Sequence, residues 1–349
     1  MTKSTVAKGQ FDRRGVLKGM GAFTAGLAAS PLFLSVKPAR ADSFEVNLQL
    51  GWLASNGITG EICADAKGFY ADEGLELKVT PGGPGVDGVA SVASNAAQMG
   101  QLSSSPSLML ARSAGIPVKC IACGYQKHPF TYFSLEDNPI RSPQDMIGKT
   151  IATQPTARIL LRALLAHNDI AEDQVTVVNM GSDMNQIMSG QAQAVTGWQT
   201  NVNALSILGD KRVDLMLWDT GIQLYANVYY VTDDMLEDHS DVLARYVKAT
   251  AKGWAYAHAN REEAAKLLVE AYPNLDLASE QKALELVLGF SFDAKTKAGG
   301  WGVMEPANWQ KQIDSYANLD QFEGDTPKVT DVMTMEILEA TAADRPKIG

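Results

Sequence analysis

The sequence predicts an α/β fold of two lobes, each a mainly parallel sheet flanked by helices, and three observations carry that prediction. Strand-like runs with apolar residues at alternate positions recur between helix-like segments, the pattern of an open sheet covered on both faces. Two such blocks are separated by a crossing run at Phe130–Leu135, and a second run, Asn227–Thr232, leads back from the second block to the first. Beyond residue 233 the chain reads as mostly helical, which completes a discontinuous first lobe. The lobes are expected at 42–135 with 227–349, and at 136–226.

The first unit is strand, helix, strand. Phe44–Leu50 places Val46, Leu48 and Leu50 on one face, a helix runs from Thr59 to about Lys67 and is stopped by Gly68, and Leu75–Val79 alternates again. The two strands should pair in parallel, which sets the loop carrying Trp52 and Asn56 at a carboxyl-terminal strand end, where such sheets bind ligands. A Gly-rich turn at 81–85 precedes a helix expected at Val86–Ala97, followed by a strand at Gln98–Leu102. Ser103, Ser104 and Ser105 read as a polar turn before a helix at Ser107–Ala114, and Ile116–Tyr125 as a buried strand. In the second block Ser142 caps a short helix. The strand Thr150–Thr153 leads to Gln154-Pro155-Thr156, with Thr156 placed to cap a helix at Ala157–His167. Strands at Val175–Asn179 and Ala194–Thr196 follow, the latter running into Gly197-Trp198. Helices are expected at 237–260, 261–272, 279–288 and 307–316.

The N-terminus is an address. Phe11-Asp12-Arg13-Arg14-Gly15-Val16-Leu17-Lys18 is a twin-arginine pattern, an apolar Gly/Ala-rich run follows, and Ala39-Arg40-Ala41 is a small-x-small cleavage site. Residues 1–41 are expected to be removed. With no Cys at the cleavage point, a free periplasmic protein is expected. Removing the leader takes seven Lys/Arg and one Asp from 30 basic and 40 acidic residues, leaving 23 against 39, a net charge of −16. That balance argues against nucleic acid or an anionic membrane as a partner.

Catalytic patterns are sparse. The four His, at 128, 167, 239 and 258, form no H-E-x-x-H, and no G-x-S-x-G occurs. Gly83-Pro84-Gly85-Val86-Asp87-Gly88 satisfies G-x-G-x-x-G, but no Asp or Glu lies between Val89 and Leu135 to take a ribose hydroxyl, so nucleotide binding is not expected. Cys120 and Cys123 fall three apart in a strand, which should turn them to opposite faces and disfavour a disulfide or shared metal. Neither a cofactor nor a metal is expected.

The words AKGFYADEGLELKV (66–79) and PGGPG (81–85), preceded by GW at 51–52, carry a family resemblance. Over about residues 45–340 the chain resembles the solute-binding proteins of bacterial ABC importers, the group that takes nitrate, sulfonates, taurine and thiamine pyrimidines. The resemblance implies a periplasmic binding protein fold of type II-like form, a small-molecule ligand, a permease in the inner membrane as partner, and no catalysis. A monomer is expected. It also extends to a fungal thiamine-pyrimidine synthase of the same fold, but that enzyme carries an early His and a cysteine-rich motif, and here no His precedes residue 128.

Aromatic and polar residues at predicted loop ends form the candidate site. The first lobe offers Trp52, Asn56, Ser103, Ser104, Ser105, Tyr125 and Gln126. The second offers Gln154, Thr156, Asp183, Trp198, Thr200 and Asn201, and Asp219 and Tyr225 precede the return strand. Two Trp, two Tyr and two Asp suit a flat heteroaromatic with amino donors, with a thiamine-pyrimidine precursor ahead of riboflavin, taurine, a sulfonate or nitrate.

Overall fold

The computed structural model describes residues 43–349, so the leader expected over 1–41 lies outside the described residues. The strands are β1 Phe44–Leu50, β2 Leu75–Thr80, β3 Met99–Ser104, β4 Val118–Tyr125, β5 Phe130–Leu135, β6 Thr150–Thr153, β7 Thr176–Asn179, β8 Ala194–Trp198, β9 Arg212–Met216 and β10 Ala226–Thr232. They form two five-stranded sheets of order β2-β1-β3-β10-β4 and β7-β6-β8-β5-β9. β1 pairs in parallel with β2 and β3, and β6 with β7 and β8. β10 runs antiparallel to both neighbours, as does β5. In each sheet, therefore, four strands point one way and the strand that follows a crossing points the other.

One expectation is corrected by this pairing. β5 was assigned with the first lobe, yet its hydrogen bonds go to β8 and β9, so it is a member of the second sheet. The chain passes between sheets at 126–129 and 217–225, the segments that join β4 to β5 and β9 to β10.

Local chemistry sets the element ends. The helix Thr59–Ala66 stops before Gly68, which takes φ +77° where a side chain would be strained. The helix expected at Val86–Ala97 spans only Gly88–Ala93, because Asp87 accepts a hydrogen bond from the Ala90 N–H at 3.0 Å and fixes its start there. Ser103 and Ser104 end β3, and Ser105 opens the next helix, so the three serines are not a turn. Thr156 is not an N-cap either. Pro155 begins a short 3₁₀ turn, Pro155–Ala157, and the α-helix Arg158–His167 starts only after it.

Cys120 and Cys123 are a second correction. β4 pairs Cys123 with Val228, Ala122 with Tyr229 and Cys120 with Tyr230, leaving Ile121 without a partner. This bulge adds one residue between the two cysteines and returns both to the same face, their Sγ atoms 3.9 Å apart.

The core runs beneath the first sheet and the C-terminal helices, and a smaller cluster, including Phe133, Val195 and Leu205, lies under the second. The tightest helix contact joins Thr59–Ala66 to Ser240–Ala259. A Cβ on Gly253 would stand 2.0 Å from the Gly60 carbonyl oxygen and 2.7 Å from the Ala64 Cβ. Backbone cannot retreat as a side chain can. Gly253→Ala is therefore expected to cost about 2 kcal/mol, read as a lower urea midpoint with an unchanged slope.

Candidate functional site

A cavity of about 460 Å³ opens at the carboxyl ends of the parallel strands of both sheets. The first sheet contributes Trp52 after β1, Gln101 to Ser104 from β3, and Asn227 at the start of β10; the second contributes Gln154 after β6 and Trp198 at the end of β8. The turn at 81–85 supports the mouth. Gly82 donates to the Trp52 carbonyl at 2.9 Å, and a Cβ on Gly82 would lie 2.2 Å from the Leu50 carbonyl oxygen, so only glycine permits the loops to meet.

Of the residues expected at the site, Trp52, Asn56, Ser103, Ser104, Gln154, Thr156, Trp198 and Asn201 line this cavity. The other seven lie elsewhere, each for a physical reason. Ser105 is buried, its hydroxyl donating to Gln312 Oε1 at 2.5 Å and its N–H to the Tyr225 carbonyl at 3.2 Å. Tyr125 is beneath the wall, its ring 5.5 Å from that of Trp198. Thr200 is buried and offers its carbonyl to Asn56. Asp183 is exposed and accepts from the Asn185 N–H at 2.9 Å. Gln126, Asp219 and Tyr225 belong to the two crossings. Gln126 donates to the Val303 carbonyl at 2.8 Å, Asp219 lies 3.7 Å from Lys127 Nζ, and the Tyr225 hydroxyl accepts from the Glu305 N–H at 3.1 Å.

Several lining residues were not anticipated: Gln101, Asn227, His128, Phe130, Leu53 and Val86. Asn227 could have been found, since it is an amide inside a largely apolar strand. Asn227, at φ +47°, donates to the Gly57 carbonyl at 3.0 Å and holds the first loop down. His128 is fully buried beside Trp198, ring centroids 5.6 Å apart. Burial pushes its pKa down to about 3, so the ring is neutral, and its Nδ1 accepts from the Phe130 N–H at 3.1 Å.

Asn56 ties the first loop to the second sheet's side. Its Nδ2 donates to the Thr200 carbonyl at 3.2 Å and to Glu280 Oε2 at 3.1 Å, joining the first loop to the end of β8 and to the helix Leu277–Ser291. Behind the wall, Gln101 Nε2 donates to the Tyr229 hydroxyl at 2.9 Å, and that hydroxyl donates to Glu61 Oε1. Glu61 is fully buried, and desolvation, opposed by the Tyr229 hydrogen bond, lifts its pKa to about 7. Among the described lining residues no Lys or Arg occurs, and the one carboxylate, Asp87, caps a helix.

Two sheets with flanking helices and a cavity at their shared strand ends define the periplasmic binding protein fold. The alkanesulfonate-binding protein SsuA from Xanthomonas axonopodis pv. citri superposes with a TM-score of 0.61 at 14% identity, over 84% of this chain and 99% of that one. The NMT1/THI5 like family matches residues 55–264, more than half of the chain, and the protein belongs to that family. It is similar to the riboflavin-binding protein RibY of Chloroflexus aurantiacus, 26% identical over 294 residues and covering 81% of this chain and 83% of the relative. It is also similar to the formylaminopyrimidine-binding protein of Halalkalibacterium halodurans, 24% identical over 288 residues, 79% of this chain and 86% of that one.

Proposed function

We propose that the protein is the periplasmic solute-binding component of an ABC importer, and that it captures an uncharged, flat heteroaromatic between two lobes that close about the segments 126–129 and 217–225. One observation carries the choice of solute: the cavity has Trp52 and Trp198 in its walls, amides and hydroxyls around them, and no basic side chain among its described lining residues. A sulfonate or nitrate would enter such a site without a compensating cation. About 460 Å³ is in the range of sites for multi-ring ligands and exceeds what one pyrimidine ring needs. Riboflavin, the ligand in the name of RibY, heads the test, and formylaminopyrimidine follows because a second relative is named for it.

Binding alone is the proposed task. Burial leaves the His128 imidazole too weakly basic to serve as a general base near neutrality. Export by the twin-arginine leader, release as a monomer and delivery to an inner-membrane permease complete the proposal. The ligand favours closure because it touches both lobes only when they meet.

The test is a thermal-shift and tryptophan-fluorescence titration of residues 42–349 with riboflavin, formylaminopyrimidine, taurine and nitrate. At 100 times its dissociation constant a true ligand adds about 2.7 kcal/mol of stability. Stabilisation by taurine or nitrate alone would overturn the reading. Asn56→Ala should weaken binding about tenfold by removing the tie to Thr200 and Glu280, and small-angle scattering should show a larger radius for the unliganded variant than for the parent. An unchanged radius would reduce Asn56 to an ordinary wall residue.

A further inference from the structure

Away from the cavity, three sulfur atoms from two chain segments meet in the core. Cys120 Sγ and Cys123 Sγ are 3.9 Å apart, Cys120 Sγ is 3.7 Å from Met304 Sδ, and Cys123 Sγ is 3.9 Å from the same Sδ. The triangle is nearly equilateral. A cation at its centre would lie about 2.2 Å from each sulfur, close to the about 2.3 Å of a metal–thiolate bond. We propose that Cys120, Cys123 and Met304 form a three-coordinate site for a soft monovalent cation, Cu(I) by its ligand set.

The chemistry is selective. Two cysteine sulfurs and a thioether favour Cu(I) over Zn(II), Mg(II) or Ca(II), which seek four ligands or oxygen donors. Both cysteines are free thiols, and all three side chains are buried. When the cation enters, one thiol releases its proton to solvent and no electron moves. One thiolate, one thiol and one thioether around a monovalent ion give a neutral cluster, the charge state an apolar core tolerates. A second deprotonation would leave a net charge in an apolar core. The backbone keeps the donors in place: the bulge at Ile121 turns both thiols to one side, and the Cys123 N–H donates to the Gly302 carbonyl at 3.0 Å, two residues before Met304.

Silver(I) is the redox-inert probe. The isolated protein, handled anaerobically, is first unfolded to count thiols, then in native form titrated with Ag(I) and weighed by native mass spectrometry. Three thiols and one tightly held Ag(I) are expected, with retention weakened at least tenfold in Met304→Leu and in Cys120→Ser but unchanged in Cys63→Ser. Leu conserves volume at position 304, so circular dichroism should show the fold intact. If that variant misfolds, X-ray absorption of the Cu(I)-loaded parent decides, with three sulfurs at about 2.2 Å supporting the site. A single free thiol, no retained silver, equal retention in all variants, or a two-sulfur spectrum each overturns it.

Discussion

Trp198→Ala is expected to weaken solute capture about 100-fold. The indole stands at the end of β8 against the rings of Tyr125 and His128, at 5.5 and 5.6 Å, so its orientation is fixed before a ligand arrives. Removing a wall that covers roughly 100 Å² of ligand loses about 2.5 kcal/mol of apolar burial, and lost stacking adds about 0.5 kcal/mol. Together these are about two decades in affinity. Trp52→Ala acts on the opposite approach to the cavity and should cost about tenfold, because that loop is held by the Gly82 contact whether or not the ring is present. Both substitutions should leave unliganded stability within about 1 kcal/mol, since both rings are only half-buried. Fluorescence titration with riboflavin measures the affinities and urea melts measure the stability. A Trp198→Ala protein that binds normally, or one that loses several kcal/mol without ligand, would return this ring to the core.

Much of this architecture was legible because the relevant forces are local. Alternation in Phe44–Leu50 and Leu75–Val79, a glycine stop at Gly68, and a crossing strand at Phe130–Leu135 all follow from side-chain period and backbone freedom. Loop ends after parallel strands were equally readable, which is why Trp52, Asn56, Gln154 and Trp198 were found together. What the sequence hid was pairing. Which sheet receives β5 depends on partners 62 to 85 residues away, and the bulge that aligns Cys120 with Cys123 exists only once β4 meets β10. Gln126, Asp219 and Tyr225 were misplaced for the same reason. They sit beside predicted strand ends, but the crossings carry them to Val303, Lys127 and Glu305 instead.

Glu61→Gln should markedly change the pH dependence of stability. In the native protein the Glu61 carboxyl has its pKa raised from 4.5 to about 7, chiefly by burial. A raised carboxyl binds more protons folded than unfolded, so its favourable contribution is whole below pH 4.5 and is lost as pH climbs to about 7. His128 has the opposite sign. Its pKa falls from 6.5 to about 3 on burial, so its contribution is whole above pH 6.5 and is lost as pH drops toward 3. Between pH 4.5 and 6.5 these two slopes oppose each other. Glutamine removes one of them while keeping an acceptor for the Tyr229 hydroxyl, so the variant should gain stability relative to the parent as pH rises from 4.5 to about 7. Taking 1.36 kcal/mol per pK unit, the variant's advantage over the parent should grow by about 3 kcal/mol between pH 4 and pH 8. Urea unfolding at pH 4, 5.5 and 8 measures this difference, in which every other titrating group cancels. Parallel profiles for parent and variant would mean that Glu61 is not the buried neutral acid its surroundings require, and the Gln101–Tyr229–Glu61 chain behind the cavity would have to be reassigned as ionised.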